Sequence, residues 1–394
     1  MISTAAARGI LTAGLIGVAL ACVTPASAQF AAPPPDQPDM TVDAATRLAV
    51  VDSLASNIES RYVFPDLGKQ VAKTLRERVR KGRYDSITSA MAFGDTLRSE
   101  LRALAHDLHL RVHYSFRPLP MGDGDHGPTT PEERDRLLTD ARRRNWGFEH
   151  VERLAGNVGY IELRQFMGSA EAGAVAQTAM QFLANTDALI IDLRRNGGGD
   201  PNMIVLLLSY LYGDDDRVHV NDFFHRGESL IGQYWTTTTI PGPRFVDRPV
   251  YVLTSRRTGS AAEEFAYDIK NLKRGTLVGE VTAGGANPGG MVRLNDHFAA
   301  FIATGRAINP VTKTNWEGVG VEPDVKTSAD EAFKTAHVAV VNDLITKATD
   351  PDMKSMLGRA LEFAQNQPVA PVDLGGSPRP SATHAMPGAA PGGK

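Results

Sequence analysis

Two stretches carry residues whose types and spacing could do covalent chemistry. In "VYVLTSRRTGSAAEEFAYDIK", residues 250–270, an apolar run breaks at Arg256-Arg257, and Ser260 opens what reads as a helix with Glu263 and Glu264 in its first turn. Lys270, Lys273 and Arg274 near the far end match the helix dipole. Serine is a preferred cap, and Glu263 three positions on completes a capping box, so Ser260 has an ordinary structural explanation. The same position suits a nucleophile, because a serine at a strand-to-helix turn stands exposed at the carboxyl end of a sheet, with backbone N–H groups behind it to receive an oxyanion. In "ALIIDLRRNGGGDPNM", residues 188–203, an apolar strand meets an Asn-Gly-Gly-Gly turn, with Pro201 at a first helical position. A tight turn that needs glycine for positive φ is one reading. Glycine N–H groups that supply half of an oxyanion hole, with the Ala261 N–H as the other half, are another. A nucleotide cradle is disfavoured at this turn, since it has neither the P-loop Lys-Ser/Thr nor the Gly-x-Gly-x-x-Gly spacing.

A nucleophilic serine needs a base. No Ser-x-x-Lys begins at Ser260 and no Gly-x-Ser-x-Gly occurs, which removes the main support for penicillin-binding and α/β-hydrolase readings. Histidine is the commonest alternative. Of ten histidines, His126 falls in a Pro/Gly-rich stretch, His337 in a late helical pattern and His384 in the tail, whereas "HDLHLRVHYSF", residues 106–116, concentrates three where helical spacing gives way to strand-like alternation. Each of the three also fits an ordinary boundary histidine. The i, i+3 spacing of His106 and His109 could suggest a metal, but no third ligand stands at a recognisable spacing, and no metal or other cofactor is expected.

The elements that must position these groups follow from periodicity. Between Asp43 and Leu104 apolar residues recur at helical spacing (Leu48, Val51, Leu54, Ile58; Leu67, Val71, Leu75, Val79; Phe93, Leu97, Leu101, Leu104), predicting two or three helices within an N-terminal helical subdomain over 43–116. Residues 117–150 read as a hinge, rich in proline and glycine and then charged. From Val158, strands "VGYIELRQF", "ALIIDLR", "PVYVLTS" and "TLVGEVT" alternate with helices, with a polar excursion over 213–248, which predicts an α/β core with parallel pairs over 151–345. A C-terminal helix is expected over 346–366 and a disordered tail over 367–394. At the other end, Arg8, an uncharged apolar run from Ile10 to Val23 and Ala26-Ser27-Ala28 read as a signal peptide over 1–28, cut after Ala28, followed by a proline-rich linker over 29–42. That predicts a periplasmic or secreted protein. A lipid anchor on Cys22, the sole cysteine, is the competing reading, and a chain cut after Ala28 has no thiol for disulfides or metal. The net charge of -3, with no long basic run, gives no reason to expect nucleic acid, and no later apolar run is long enough to span a membrane.

Taken together, "DLHL", "LIIDLRRNGGG", "TGSAAEEFAY", "VGEVTAGGANPGG" and "NWEGVGVEPDV" appear in an order that resembles the tail-specific (C-terminal processing) serine protease family. The likeness is nearest to its branch related to the repeats of interphotoreceptor retinoid-binding protein and to the tricorn protease core, and runs from about Thr46 to Val340. The resemblance implies an N-terminal helical bundle plus an α/β core with a mixed sheet of crotonase-like (ClpP/crotonase) type. It places the nucleophile on Ser260. Many members take a lysine base from Gly-Glu-x-Thr-x-Gly-Lys, but here Gly279-Glu280-Val281-Thr282-Ala283-Gly284 is followed by Gly285. The histidine branch implies His109 as base and Glu317 as its orienting carboxylate, with oxyanion donors on Gly198, Gly197 as its neighbour, and Ala261. Too few residues separate Phe116 from Val158 for the PDZ domain that many members carry. The resulting expectation is an exported serine endopeptidase acting on a protein or peptide substrate through an acyl-enzyme. Two rivals stay open: a non-catalytic module for an apolar ligand of retinoid or fatty-acid type, and an esterase or amidase on small acyl substrates.

Overall fold

The computed structural model describes residues 37–119, 130–228 and 231–374. In chain order the first elements are helices α1 (Ala44–Arg61), α2 (Pro65–Arg80) and α3 (Ala90–Ala105), then strand β1 (Arg111–Tyr114), helix α4 (Pro131–Arg143) and strands β2 (Phe148–Leu154) and β3 (Val158–Leu163). Helix α5 (Ser169–Phe182), strand β4 (Ala188–Asp192), helix α6 (Pro201–Ser209), strands β5 (His219–His225), β6 (Gly232–Trp235) and β7 (Val250–Thr254), and helix α7 (Ala261–Asn271) follow. The chain continues through β8 (Thr276–Gly279), β9 (Gly289–Arg293), β10 (Phe298–Ala303), β11 (Gly305–Ile308) and β12 (Val325–Lys326) to helices α8 (Ala332–Lys347) and α9 (Pro351–Asn366).

Local chemistry sets the helix ends that matter. Asp43 caps α1 by accepting from the Thr46 N–H at 2.7 Å, and Ser89 caps α3 from the Ala92 N–H at 2.9 Å. His106, at φ 54°, ends α3 in the left-handed region, so the chain turns at once and delivers Asp107 to His109 to the start of β1. Most of the stripe predicted for the helices is buried: Val51, Leu54, Ile58, Val71, Leu75, Phe93, Leu97 and Leu101 share one core, and Leu67, Val79 and Leu104 pack partly buried against it, whereas Leu48, early in α1, is exposed. Its floor is a three-stranded antiparallel sheet in the order β1-β10-β9, which contributes Val112, Tyr114, Phe298, Ala300 and Ile302. The helical part is thus completed by a hairpin from much later in the chain.

The main sheet has six strands in the order β12-β8-β7-β4-β3-β2. It is mixed: β2 runs antiparallel to β3, and the other neighbours are parallel. All five residues of β4 and all five of β7 are buried, as expected of central parallel strands covered on both faces. One core lies under α5, α6 and α7, and another lies under α8 and α9 on the opposite face. Because β4, β7 and β8 are neighbours in parallel, the loops leaving their carboxyl ends stand side by side. Those loops hold the glycine turn, Ser260 and Gly284-Gly285.

Several placements differ in detail from the pattern in the sequence. The excursion over 213–248 contains β5 and β6, which pair with β11 in a third sheet of order β11-β5-β6. The stretch over 117–150 carries α4 and the start of β2, and two helices occupy the region after Val325. The signal segment, the linker up to residue 36, His126, and the tail from residue 375 lie outside the described residues. Among the described residues no helix is long and apolar enough to cross a membrane.

Candidate active site

Ser260 precedes the first residue of α7 at φ 54°, ψ −124°, a conformation that side-chain-bearing residues rarely adopt and that costs about 1–3 kcal/mol. What holds it there is Glu263. The Ser260 N–H donates to Glu263 Oε2 at 2.9 Å, the side-chain arm of the capping box, while the Glu263 N–H is taken at 2.8 Å by the Ser260 carbonyl. The hydroxyl therefore makes no capping hydrogen bond, and it sits half-exposed. The first N–H groups of a helix lack intrahelical acceptors. That of Ala261 makes no hydrogen bond to any described residue and lies directly behind Ser260.

The glycine turn is stitched against this loop. Ser255 Oγ donates to the Arg194 carbonyl at 2.6 Å, Thr258 Oγ1 to the Leu193 carbonyl at 2.8 Å, and the Gly259 N–H to the Asn196 carbonyl at 3.0 Å. Gly198 has φ +111°, and a Cβ there would meet Ser260 Cβ at 2.7 Å and the Ala261 nitrogen at 2.9 Å. Only glycine lets the two turns approach so closely. The Gly198 N–H is itself taken by Asn196 Oδ1 at 2.8 Å, whereas the N–H groups of Gly197 and Gly199 have no partner among the described residues.

His109 reaches the same region from the turn between α3 and β1. Its ring lies over Gly285: a Cβ built there would stand 2.8 Å from Cε1 and 3.2 Å from Nδ1. On another side it packs on Phe301, with ring centroids 5.4 Å apart. Nδ1 is buried and has no hydrogen-bond partner among the described residues. Burial holds the imidazole well below its ordinary value, at about 4, with the Asp107 charge opposing the shift and that of Arg111 adding to it. His109 is therefore a neutral imidazole at neutral pH.

Glu317 comes from the loop between β11 and β12. Its Oε1 accepts from the Leu108 N–H at 3.0 Å, and its Oε2 from the N–H groups of Ala286 at 2.6 Å and Asn287 at 3.0 Å. It thereby ties the His109 segment to the loop after β8, without a hydrogen bond to the imidazole itself. Burial, with the charge of Asp107 beside it, raises its carboxyl to about 7, against the pull of those three N–H donors.

Two residues to which the sequence reading gave no catalytic part complete the frame. Asp107 is buried and accepts from the His109 and Leu110 N–H groups, the Tyr62 hydroxyl and the Asn287 amide, which fixes the backbone on which His109 sits. Glu263 Oε2 accepts from both Ser260 and Gly285, and its Oε1 from the Thr282 hydroxyl and the Gly284 N–H, so one buried carboxylate joins the serine turn to the loop under the imidazole. Glu263 stood in the sequence as half of a cap and Asp107 as part of "DLHL"; neither pattern reveals a partner so distant in sequence. Asp107, His109 and Glu317 each place a donor atom within 4.8 Å of the others and are the residues that could hold a divalent ion. The two carboxylates already accept seven hydrogen bonds between them, so coordination would compete with the hydrogen bonds that order the site.

The model of peptidase family S41 matches residues 157–327, and that of the N-terminal domain of Peptidase S41 in eukaryotic IRBP matches residues 44–139. Carboxyl-terminal-processing peptidase 1, chloroplastic, of Arabidopsis thaliana is 25% identical over 214 residues, covering 54% of this chain and 42% of the relative. The carboxyl-terminal-processing protease of Synechocystis sp. is 29% identical over 171 residues, covering 43% of this chain and 37% of the relative. The chain thus spans under half the length of these relatives. Among solved structures, mature CPAF complexed with lactacystin is similar at a TM-score of 0.53 and 11% identity, covering 82% of this chain and 98% of that one. A putative peptidase from Parabacteroides merdae is similar at 0.50 and 17%, covering 78% and 98%. At such identities these two speak for the fold.

Proposed function

Since the chain belongs to peptidase family S41, with an N-terminal domain of the IRBP type, we propose that it is a serine endopeptidase whose nucleophile is Ser260 and whose base is His109. The observation that carries this reading is the Ser260 turn: a strained backbone, a hydroxyl without a capping bond, and an unpartnered Ala261 N–H beside it, with Gly198 packed against both. Its core is then of the crotonase-like type.

In this mechanism His109 takes the hydroxyl proton as Ser260 Oγ attacks the peptide carbonyl carbon, and the carbonyl π pair moves onto oxygen. The oxyanion is received by the Ala261 N–H and by an N–H from the turn 197–199. Imidazolium then protonates the departing amine, leaving an acyl-enzyme. In the second half His109 takes a proton from water, whose oxygen attacks the acyl carbon, and the imidazolium returns that proton to Ser260 Oγ as the acyl–oxygen bond breaks. Ionised Glu317, within 4.8 Å of the imidazole, stabilises the imidazolium each time it forms. Neutral at working pH, His109 is in the form that can accept the hydroxyl proton. The imidazole also occupies the space over Gly285, the position at which lysine-using members of the family carry their base, so the two solutions exclude each other here. The signal-like segment over 1–28 supports action outside the cytoplasm.

The test is turnover of a denatured protein by purified wild type and Ser260→Ala. The variant should fold and lose at least about a thousandfold in activity; equal cleavage by both would overturn the assignment.

A further inference from the structure

The outer face of the β1-β10-β9 sheet carries a cation, Arg111, to which the fold and the proposed chemistry give no part beyond its field on His109. Along β1, Val112 and Tyr114 enter the helical core, while Arg111 and His113 face away from it. Arg111 pairs across the sheet with Phe301, and its guanidinium carbon lies 5.5 Å from the centre of the ring that also packs against His109. The base and the guanidinium thus rest on one aromatic side chain. Arg111 Nε donates to His113 Nε2 at 3.0 Å, which orients the guanidinium. Its two terminal nitrogens have no hydrogen-bond partner among the described residues and are not fully buried. Among the described residues no carboxylate forms an ion pair with it. Its charged neighbours are Arg98, itself paired with Asp95 at 2.8 Å, Arg102, and the carboxylate of Asp107, which is taken up by four hydrogen-bond donors other than Arg111.

A half-buried guanidinium with two like charges nearby and no directly paired anion is held at a cost unless an anion is supplied to it. Its planar fork is suited to a carboxylate. Resting on the peptidase reading of the neighbouring site, we infer that Arg111 is a specificity-determining residue that binds a carboxylate of the substrate, so that the protein prefers peptides carrying an acidic side chain close to the scissile bond. The nucleophile and the oxyanion donors need no such charge, which makes this a statement about which peptides are taken.

The test uses short fluorogenic alanine-leucine peptides in which one glutamate is walked through the positions on both sides of the cleaved bond. Each has a glutamine counterpart, and each is made as free C-terminal acid and as amide. Wild type should show a Glu-over-Gln ratio in kcat/KM of about tenfold at one position, the worth of a partly desolvated ion pair. Arg111→Gln should bring that ratio to about one, and Arg111→Glu should favour the matching lysine peptide; circular dichroism confirms that both are folded. An acid-over-amide preference that disappears in Arg111→Gln would assign the carboxylate to the chain end instead of a side chain. Ratios near one in wild type at every position and both termini, or an unchanged ratio in Arg111→Gln, would overturn the inference. If wild type cleaves none of the peptides, the peptidase reading fails separately. Anisotropy of the labelled Glu and Gln peptides on Ser260→Ala, with and without Arg111→Gln, then decides: an Arg111-dependent difference sustains the subsite, and equal binding removes it.

Discussion

Replacing Gly285 by alanine isolates the placement of His109 from everything else in the site. Gly285 has no positive φ, so its backbone accepts alanine, and its N–H bond to Glu263 is unaffected. The three atoms nearest the added Cβ all belong to the His109 ring, at 2.8 to 3.3 Å. Ordinary carbon contacts lie at about 3.5–4.0 Å, so the imidazole must retreat by roughly 0.7 Å. A misplacement of about 1 Å costs on the order of a hundredfold in rate, or about 2.7 kcal/mol of barrier. The assay is kcat/KM on a denatured protein or a fluorogenic peptide, together with a thermal melt. Gly358→Ala on α9, where the added Cβ meets nothing within 4 Å, controls for substitution of glycine in general. A Gly285→Ala enzyme within threefold of wild type would refute the claim that His109, held where it is, is the base.

Three further outcomes follow from the same geometry. Glu317 stabilises imidazolium only when ionised, and its carboxyl is raised to about 7, so kcat/KM should rise as pH passes through about 7, and Glu317→Gln should be slower and lack that rise in a pH–rate profile. Glu264 is buried on α7 and also held at about 7, so the folded state keeps a proton that the unfolded chain gives up near 4.5; stability falls as pH rises between those values, and Glu264→Gln, still able to accept from Asn221, should melt a few degrees higher than wild type at pH 8 but not at pH 4, by calorimetry. Gly198→Ala puts a Cβ 2.7 Å from that of Ser260 at a φ alanine rarely adopts, and should cost stability in a urea melt as well as abolish turnover.

The order of the main elements was legible because β4, β7 and the helices that follow them keep their periodicity and their punctuation. The apolar run of β7, the break at Arg256-Arg257 and the Ser260–Glu263 spacing together describe a strand, a turn and a capped helix, and the structure has all three. The sheets formed by late pairing were not legible. Strands β9 and β10 become the floor of the N-terminal helices, a contact between segments about two hundred residues apart, and no local period records a partner so distant. Within the site, glycine and serine patterns pointed to backbone geometry because those residues are chosen for it. Asp107 and Glu263 act by accepting N–H donors from loops remote in sequence, and Arg111 matters through the ring it shares with His109; such roles exist only once the chain is folded.

The most direct measurement is reaction with a serine-directed fluorophosphonate, with the adduct located by peptide mass spectrometry in wild type, His109→Ala and Lys270→Ala. The account predicts one adduct, on Ser260, in wild type and in Lys270→Ala, and strongly reduced labelling in His109→Ala. An adduct on another serine, or undiminished labelling of Ser260 without His109, would contradict it.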